Sequence, residues 1–133
     1  MPISNLSVLL DGTIAVTAGT STNVKSLGGD IDVNECYLDD GVSYLDTTRI
    51  KFAVKRPKPN ASAPNGFTQK RNTVKVTVPR TLANGNTTLD TLSIVIGTDV
   101  ETSDTDVLSL VNLGAQLMSN ADVLAYFTEQ STV

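Results

Sequence analysis

Beginning at Arg49, apolar and polar residues take turns: Ile50, Phe52 and Val54 interleave with Arg49, Lys51, Ala53 and Lys55. The same alternation returns further on, where Val74, Val76 and Val78 interleave with Thr73, Lys75 and Thr77. A period of two predicts strands. Successive strand side chains point to opposite faces, so the stretch from Arg49 to Arg80 predicts a β-hairpin with two unlike faces. One is continuous Ile/Phe/Val and needs a core; the other is cationic and hydroxylated. The connector from Pro57 to Gly66 (PKPNASAPNG) holds three prolines and ends in Asn65-Gly66. It should not pair as strand and is expected to be an exposed tip.

The remainder of the chain divides in the same way. Residues Asn5 to Thr17 (NLSVLLDGTIAVT) are two apolar runs joined by Asp11-Gly12, a dipeptide suited to a type I′ turn, and predict a first hairpin. From Ala18 to Asp32 the composition is that of a loop, with an irregular strand around Val24 to Leu27. Val33 to Leu38 predicts another strand, followed by an Asp39-Asp40-Gly41 turn. After a polar loop from Arg80 to Thr88 centred on Asn84-Gly85, Leu89 to Thr98 returns to period two. Leu92, Ile94 and Ile96 fall on one side of that strand, and Thr91, Ser93 and Val95 on the other.

Beyond Thr98 the period changes. Ser103 with Asp106 three residues on forms a capping-box-like start, and Asp104 and Asp106 suit the positive end of a helix. Val107, Leu110, Val111, Gly114, Leu117 and Met118 then form an apolar stripe at helical spacing. Ser119-Asn120 interrupts it, and Ala121 to Gln130 predicts a second helix with Val123, Leu124 and Phe127 inward. The fold class is therefore α+β: an N-terminal β-hairpin, an antiparallel meander sheet of about five to six strands, then two C-terminal helices over one sheet face. The expected layout is a single domain over 1–133, with the hairpin at 5–17, the sheet at 33–98 and the helices at 103–131. Two short helices cannot cover so many strands. The leftover apolar surface predicts an obligate symmetric dimer, the alternative being a monomer with a small sandwich core.

Charge changes this picture more than composition does. Of the ten Lys and Arg residues, nine lie between Arg49 and Arg80, a stretch holding none of the fourteen Asp and Glu. The segment carries plus 9 and the remainder minus 13, which the net charge of −4 conceals. Such a face is either a solvated cationic surface, with lysines protecting strand edges, or a polyanion-binding one. Exclusion of acids over the whole segment favours the second.

Enzymatic chemistry finds little to work with. The chain has no histidine, the commonest general base and metal ligand near neutral pH. Cys36, the single cysteine, has no histidine to activate it, reads as a buried small hydrophobe, and cannot form an intrachain disulfide. The clusters Asp30/Asp32, Asp39/Asp40 and Asp99/Glu101/Asp104/Asp106 lack EF-hand spacing. No P-loop or dinucleotide fingerprint occurs, no apolar run is long enough for a transmembrane helix, and no secretory signal is visible. The expectation is no enzyme, no cofactor, no metal, no membrane and no small-molecule substrate, in a reduced, cytosolic setting.

At this point the residues carry a resemblance. RIKFAVKRP followed by KRNTVKVTVP resembles the adjacent central strands of the coat proteins of small single-stranded RNA bacteriophages (levivirus-like), down to a proline that ends the second strand. SDTDVLSLVNLGAQLMSNADVLAYFTEQ is similar to their paired C-terminal helices, and the order of elements matches along nearly the whole chain. The resemblance implies an intertwined homodimer with one continuous sheet, assembling into an icosahedral shell. It also implies that the cationic face lies inside the virion and binds genomic RNA, both a stem-loop and phosphates nonspecifically, after synthesis in the bacterial host cytoplasm.

By position in the matching strands, the resemblance gives Arg49, Lys51, Lys55, Arg71, Thr73 and Lys75 as RNA-binding residues, with Thr91 and Ser93 facing RNA from the next strand. Leu89 stands where several members carry a base-stacking tyrosine, and Ala53 replaces a residue that is often polar. The loop from Arg80 to Thr88 matches the family's conformationally variable vertex loop. The competing reading is a single-stranded nucleic-acid-binding module that uses the same basic sheet without assembling.

Overall fold

A computed structural model describes residues 6–10, 12–39 and 46–130. They form two units, one containing a sheet (Gly19–Val100) and one containing two helices (Met1–Ala18 with Glu101–Val133).

The sheet is a five-stranded antiparallel meander in the order β1-β2-β3-β4-β5, with β1 at Val24–Gly29, β2 at Val33–Leu38, β3 at Arg49–Lys55, β4 at Lys70–Thr81 and β5 at Thr87–Thr98. The predicted charged hairpin is β3 and β4, paired from Arg49↔Thr77 to Lys55↔Arg71. The irregular strand expected near Val24 is a full edge strand, bulged between Ser26 and Gly28. Gly28 sits there at φ +104°, a conformation that side chains with a Cβ rarely adopt.

Several expectations need correction. Residues 6–10 and 12–17 belong to no strand, so the hairpin expected at 5–17 is not formed by these described residues; Asn5 and Asp11 lie outside them. A lone two-stranded hairpin is marginal in water. Instead Leu9 donates its N–H to Gln116 Oε1 at 2.9 Å, and its carbonyl accepts from Gln116 Nε2 at 2.7 Å. One glutamine amide thus replaces a strand partner. The Asp40-Gly41 part of the turn expected after β2 also lies outside the described residues.

Pro79 does not end β4, which continues to Thr81↔Thr87. It lies beyond the last β3 pair, Arg49↔Thr77, where that side of β4 is an edge and tolerates a residue without an N–H. The loop expected from Arg80 to Thr88 shrinks accordingly to Leu82–Asn86, closed by Leu82 N–H to Asn86 O at 2.7 Å, with Gly85 at φ +85°. The connector between β3 and β4 is folded back rather than unpaired: Pro59 bridges Phe67. Its neighbours supply the hydrogen bonds that proline cannot, Asn60 N–H to Gly66 O and Thr68 N–H to Lys58 O, both 2.8 Å. Asn65 Nδ2 donates to Asp99 Oδ1 at 2.7 Å, tying this connector to the residue after β5.

In the second unit, α1 spans Asp104–Ser119 and α2 spans Ala121–Glu129. Ser103 is the N-cap of α1, its Oγ accepting from Asp106 N–H at 3.2 Å and donating to the Asp106 carboxylate at 2.9 Å. Asn120 serves both helices. Its backbone N–H closes α1 on Leu117 O, and its side chain caps α2 by accepting from Asp122 N–H at 2.9 Å. α2 ends at Gln130 in the left-handed conformation; the expected end at residue 131 lies outside the described residues.

No apolar side chain is buried among the described residues; the buried ones are Thr47, Thr48 and Thr98. Leu124 and Phe127, expected to face inward, are 56% and 54% exposed. Cys36, expected to be buried, is half-exposed, and its Sγ lies 3.2 Å from Asn34 Oδ1. A chain of 133 residues with 40% hydrophobic content ordinarily encloses a core. Here the apolar residues are in place on their faces, but none of those described is buried.

Candidate nucleic-acid interface

Strand pairing sorts the polar residues into rows that cross the sheet. One row is Tyr37, Arg49, Thr77 and Thr91; the next is Glu35, Lys51, Lys75 and Ser93. Two residues further along lies Val33, Ala53, Thr73 and Val95, and then Lys55, Arg71 and Gly97. All eight residues nominated from the sequence therefore share one face: Arg49, Lys51, Lys55, Arg71, Thr73, Lys75, Thr91 and Ser93. Rows of this kind lie about 6.7 Å apart along the strands, with members about 4.8 Å apart across them. Two cationic rows flank a small apolar one, whose Ala53 and Thr73 are half-buried.

The opposite face holds Ile50, Phe52 and Val54 on β3, Val74, Val76 and Val78 on β4, and Leu92, Ile94 and Ile96 on β5. Lys70, Asn72 and Arg80 extend this apolar set at the two ends of β4 and so lie off the cationic face. Local carboxylates neutralise three cations: Arg80 Nε lies 2.9 Å from Asp90, Arg56 Nε 3.0 Å from Asp32, and Lys25 Nζ 3.1 Å from Asp39. The hydrogen bond to Asp39, then its charge, raises the Lys25 pKa. None of these three is among the eight. Lys51, Lys55, Arg71 and Lys75 have no carboxylate within bridging distance among the described residues. Lys51 and Lys75 stand directly opposite each other, a like-charge pair that destabilises the ladder unless solvent or an anion lies over it.

Two further residues of this face lie outside the eight. Glu35 shares the row of Lys51 and Lys75, and Leu89 borders the same face at Pro79. Together with Arg49, Lys51, Lys75 and Thr77 they line a shallow depression. The alternation of Val33, Glu35 and Tyr37 along β2 carried that signal, but reading it required knowing that β2 pairs with β3.

No protein-family model and no curated protein matches the sequence. Solved structures do. The chain superposes on a chain of the virus-like particle of bacteriophage GQ-907 with a TM-score of 0.84 at 20% identity, covering 98% of this chain and 99% of that one. The fold is that of levi-like phage coat proteins. It matches the virus-like particle of Beihai levi-like virus 21 with a TM-score of 0.60 at 19% identity, over 90% of this chain and 94% of the other. A bacteriophage coat protein described as an unassembled, RNA-binding dimer matches at 0.50 and 17% identity, over 90% and 93%. The five antiparallel strands followed by two helices are the coat-protein arrangement expected from the sequence.

Proposed function

We propose that this chain is a capsid subunit of a single-stranded RNA bacteriophage, whose dimers assemble into an icosahedral shell and hold genomic RNA against the cationic face. The observation that carries this reading is a coat-protein fold matched over 98% of this chain and 99% of a particle-forming one.

Dimerisation is supported by what the single chain leaves open. β5 is an edge strand of twelve residues with one charge, Asp90, and no proline, a form that soluble proteins seldom leave unpaired. Pairing of two β5 edges would join the sheets of two copies, and partner helices over the Ile50 face would remove its apolar surface from water. RNA binding is supported by Lys51, Lys55, Arg71 and Lys75, which have no carboxylate partner among the described residues; Thr73, Thr91 and Ser93 add hydroxyls able to bond bases or sugars. Synthesis in the bacterial host cytoplasm and residence in the virion follow from the same reading.

Electron microscopy of the purified recombinant protein, with the ultraviolet absorbance ratio of the same fraction, tests it. Uniform shells containing nucleic acid are the expected result. A dimer or monomer that binds RNA and never assembles overturns it in favour of a non-assembling single-stranded nucleic-acid-binding module.

A further inference from the structure

Glu35 is out of place on its face. It is half-buried in the row of Lys51, Lys75 and Ser93, lines the depression with Arg49, Lys51, Lys75, Thr77 and Leu89, and has no ion pair or hydrogen bond to another side chain among the described residues. The other carboxylates near this sheet are engaged: Asp39 with Lys25, Asp32 with Arg56, Asp90 with Arg80. A carboxylate only accepts hydrogen bonds, and it repels phosphate. On a surface that attracts RNA backbone, Glu35 therefore selects for a ligand with donors.

Glu35 and Lys51 are directly paired across β2 and β3, about one strand spacing of 4.8 Å apart. An acceptor and a donor standing side by side on neighbouring strands match one base edge in particular. Guanine presents a carbonyl followed by two adjacent donors, its ring N–H and its exocyclic amine. Adenine and cytosine set a bare ring nitrogen beside the amine, and uracil flanks its N–H with two carbonyls, so each of these turns an acceptor toward the carboxylate. Lys75, directly opposite Lys51, lies within the same depression for a flanking phosphate.

From this juxtaposition we infer that Glu35 and Lys51 form a guanine-selecting subsite on the cationic face, with Glu35 the specificity-determining residue. The inference rests on the RNA-binding reading above and adds a base identity to it. Fluorescence anisotropy of the full chain, freed of nucleic acid, with a short oligouridylate tests it; the central position is uridine, adenosine, cytidine, inosine or guanosine. One central guanosine is expected to tighten binding about tenfold over uridine, with inosine, which lacks the exocyclic amine, in between.

Glu35→Gln is expected to bring guanosine and uridine within about twofold, while tightening oligouridylate itself because a negative charge leaves the face. Glu35→Asp keeps the charge but shortens the reach, and should reduce the guanosine preference without changing the salt dependence. It carries the test if the first variant does not fold. A wild-type chain that binds all five oligonucleotides alike overturns the subsite and leaves RNA binding standing, as does a preference that survives both substitutions. Inosine equal to guanosine overturns the two-donor geometry. No binding of any oligonucleotide at low salt would remove the RNA reading together with the subsite.

Discussion

On one side of the sheet Phe52, Val54, Leu92 and Ile94 stand between 41% and 44% exposed; on the other, Lys51, Lys55, Arg71 and Lys75 are exposed and without carboxylate partners among the described residues. The same strands build both faces, and in the single chain neither is finished. The difference lies in what completes them. Apolar surface loses its free-energy cost only when other apolar atoms displace water, so the Ile50 face calls for protein. Clustered cations release their counterions to a polyanion and need no close packing, so the Lys51 face calls for phosphate. A sheet with its cations sorted onto one face can use two partners at once without either competing for the other's surface.

The largest effect is expected from a charge on the apolar face. Ile94→Asp would place an unpaired carboxylate where a partner has to bury it, at a cost of several kcal/mol. Size-exclusion chromatography should show dimer and shell both lost. Retention of the dimer would mean that the Ile50 face is not part of the interface.

Reversing charge on the other face should separate the two roles. Lys51→Glu combined with Lys75→Glu is expected to empty particles of RNA, read by absorbance ratio, while dimerisation survives. Dimer loss with packaging intact would reverse the assignment of the faces. A finer measurement is the salt dependence of RNA binding: Lys75→Ala alone should flatten the slope of log K against log salt by about 0.7. Arg80→Ala, whose guanidinium is held by Asp90 on the opposite face, should leave that slope unchanged.

Smaller effects lie away from both faces. Ser103→Ala removes the Oγ that caps α1 and should cost about 1 kcal/mol, measured by denaturant unfolding of the purified protein. At the β1–β2 turn, Asp30 Oδ1 accepts from the backbone N–H of Asp32 at 2.8 Å and of Val33 at 2.9 Å, which together hold its pKa below the ordinary 3.8. A depressed folded pKa gives stability that is complete above 3.8 and is lost as pH falls through the lowered value. Protection of the Asp32 and Val33 amides against exchange, taken relative to their intrinsic rates, should therefore fall in that acidic range, and Asp30→Asn should remove that fall.

How legible all this was depended on how local the signal is. The alternation in β3, β4 and β5 and the Ser103 cap are short-range patterns set by side-chain direction and backbone hydrogen bonding, and they were readable in the letters. So was the common face of the eight nominated residues, since period two carries through each strand of a hairpin. The hairpin at 5–17 was not, because two apolar runs and a turn specify a pairing that still needs a third surface. The extents of β4 and β5 were hidden in the same way: Pro79 looks like a stop until the end of β3 makes its side of β4 an edge.

By itself the sequence determined the element order, the segregation of nine cations into one acid-free stretch, and the opposition of an apolar face to a cationic one. Tertiary structure alone decided which cations remain available. Asp32 and Asp90 lie outside that stretch, and strand pairing brings them to Arg56 and Arg80. Register likewise set Glu35 beside Lys51, because cross-strand neighbours are fixed by the hydrogen-bond ladder and not by spacing along the chain.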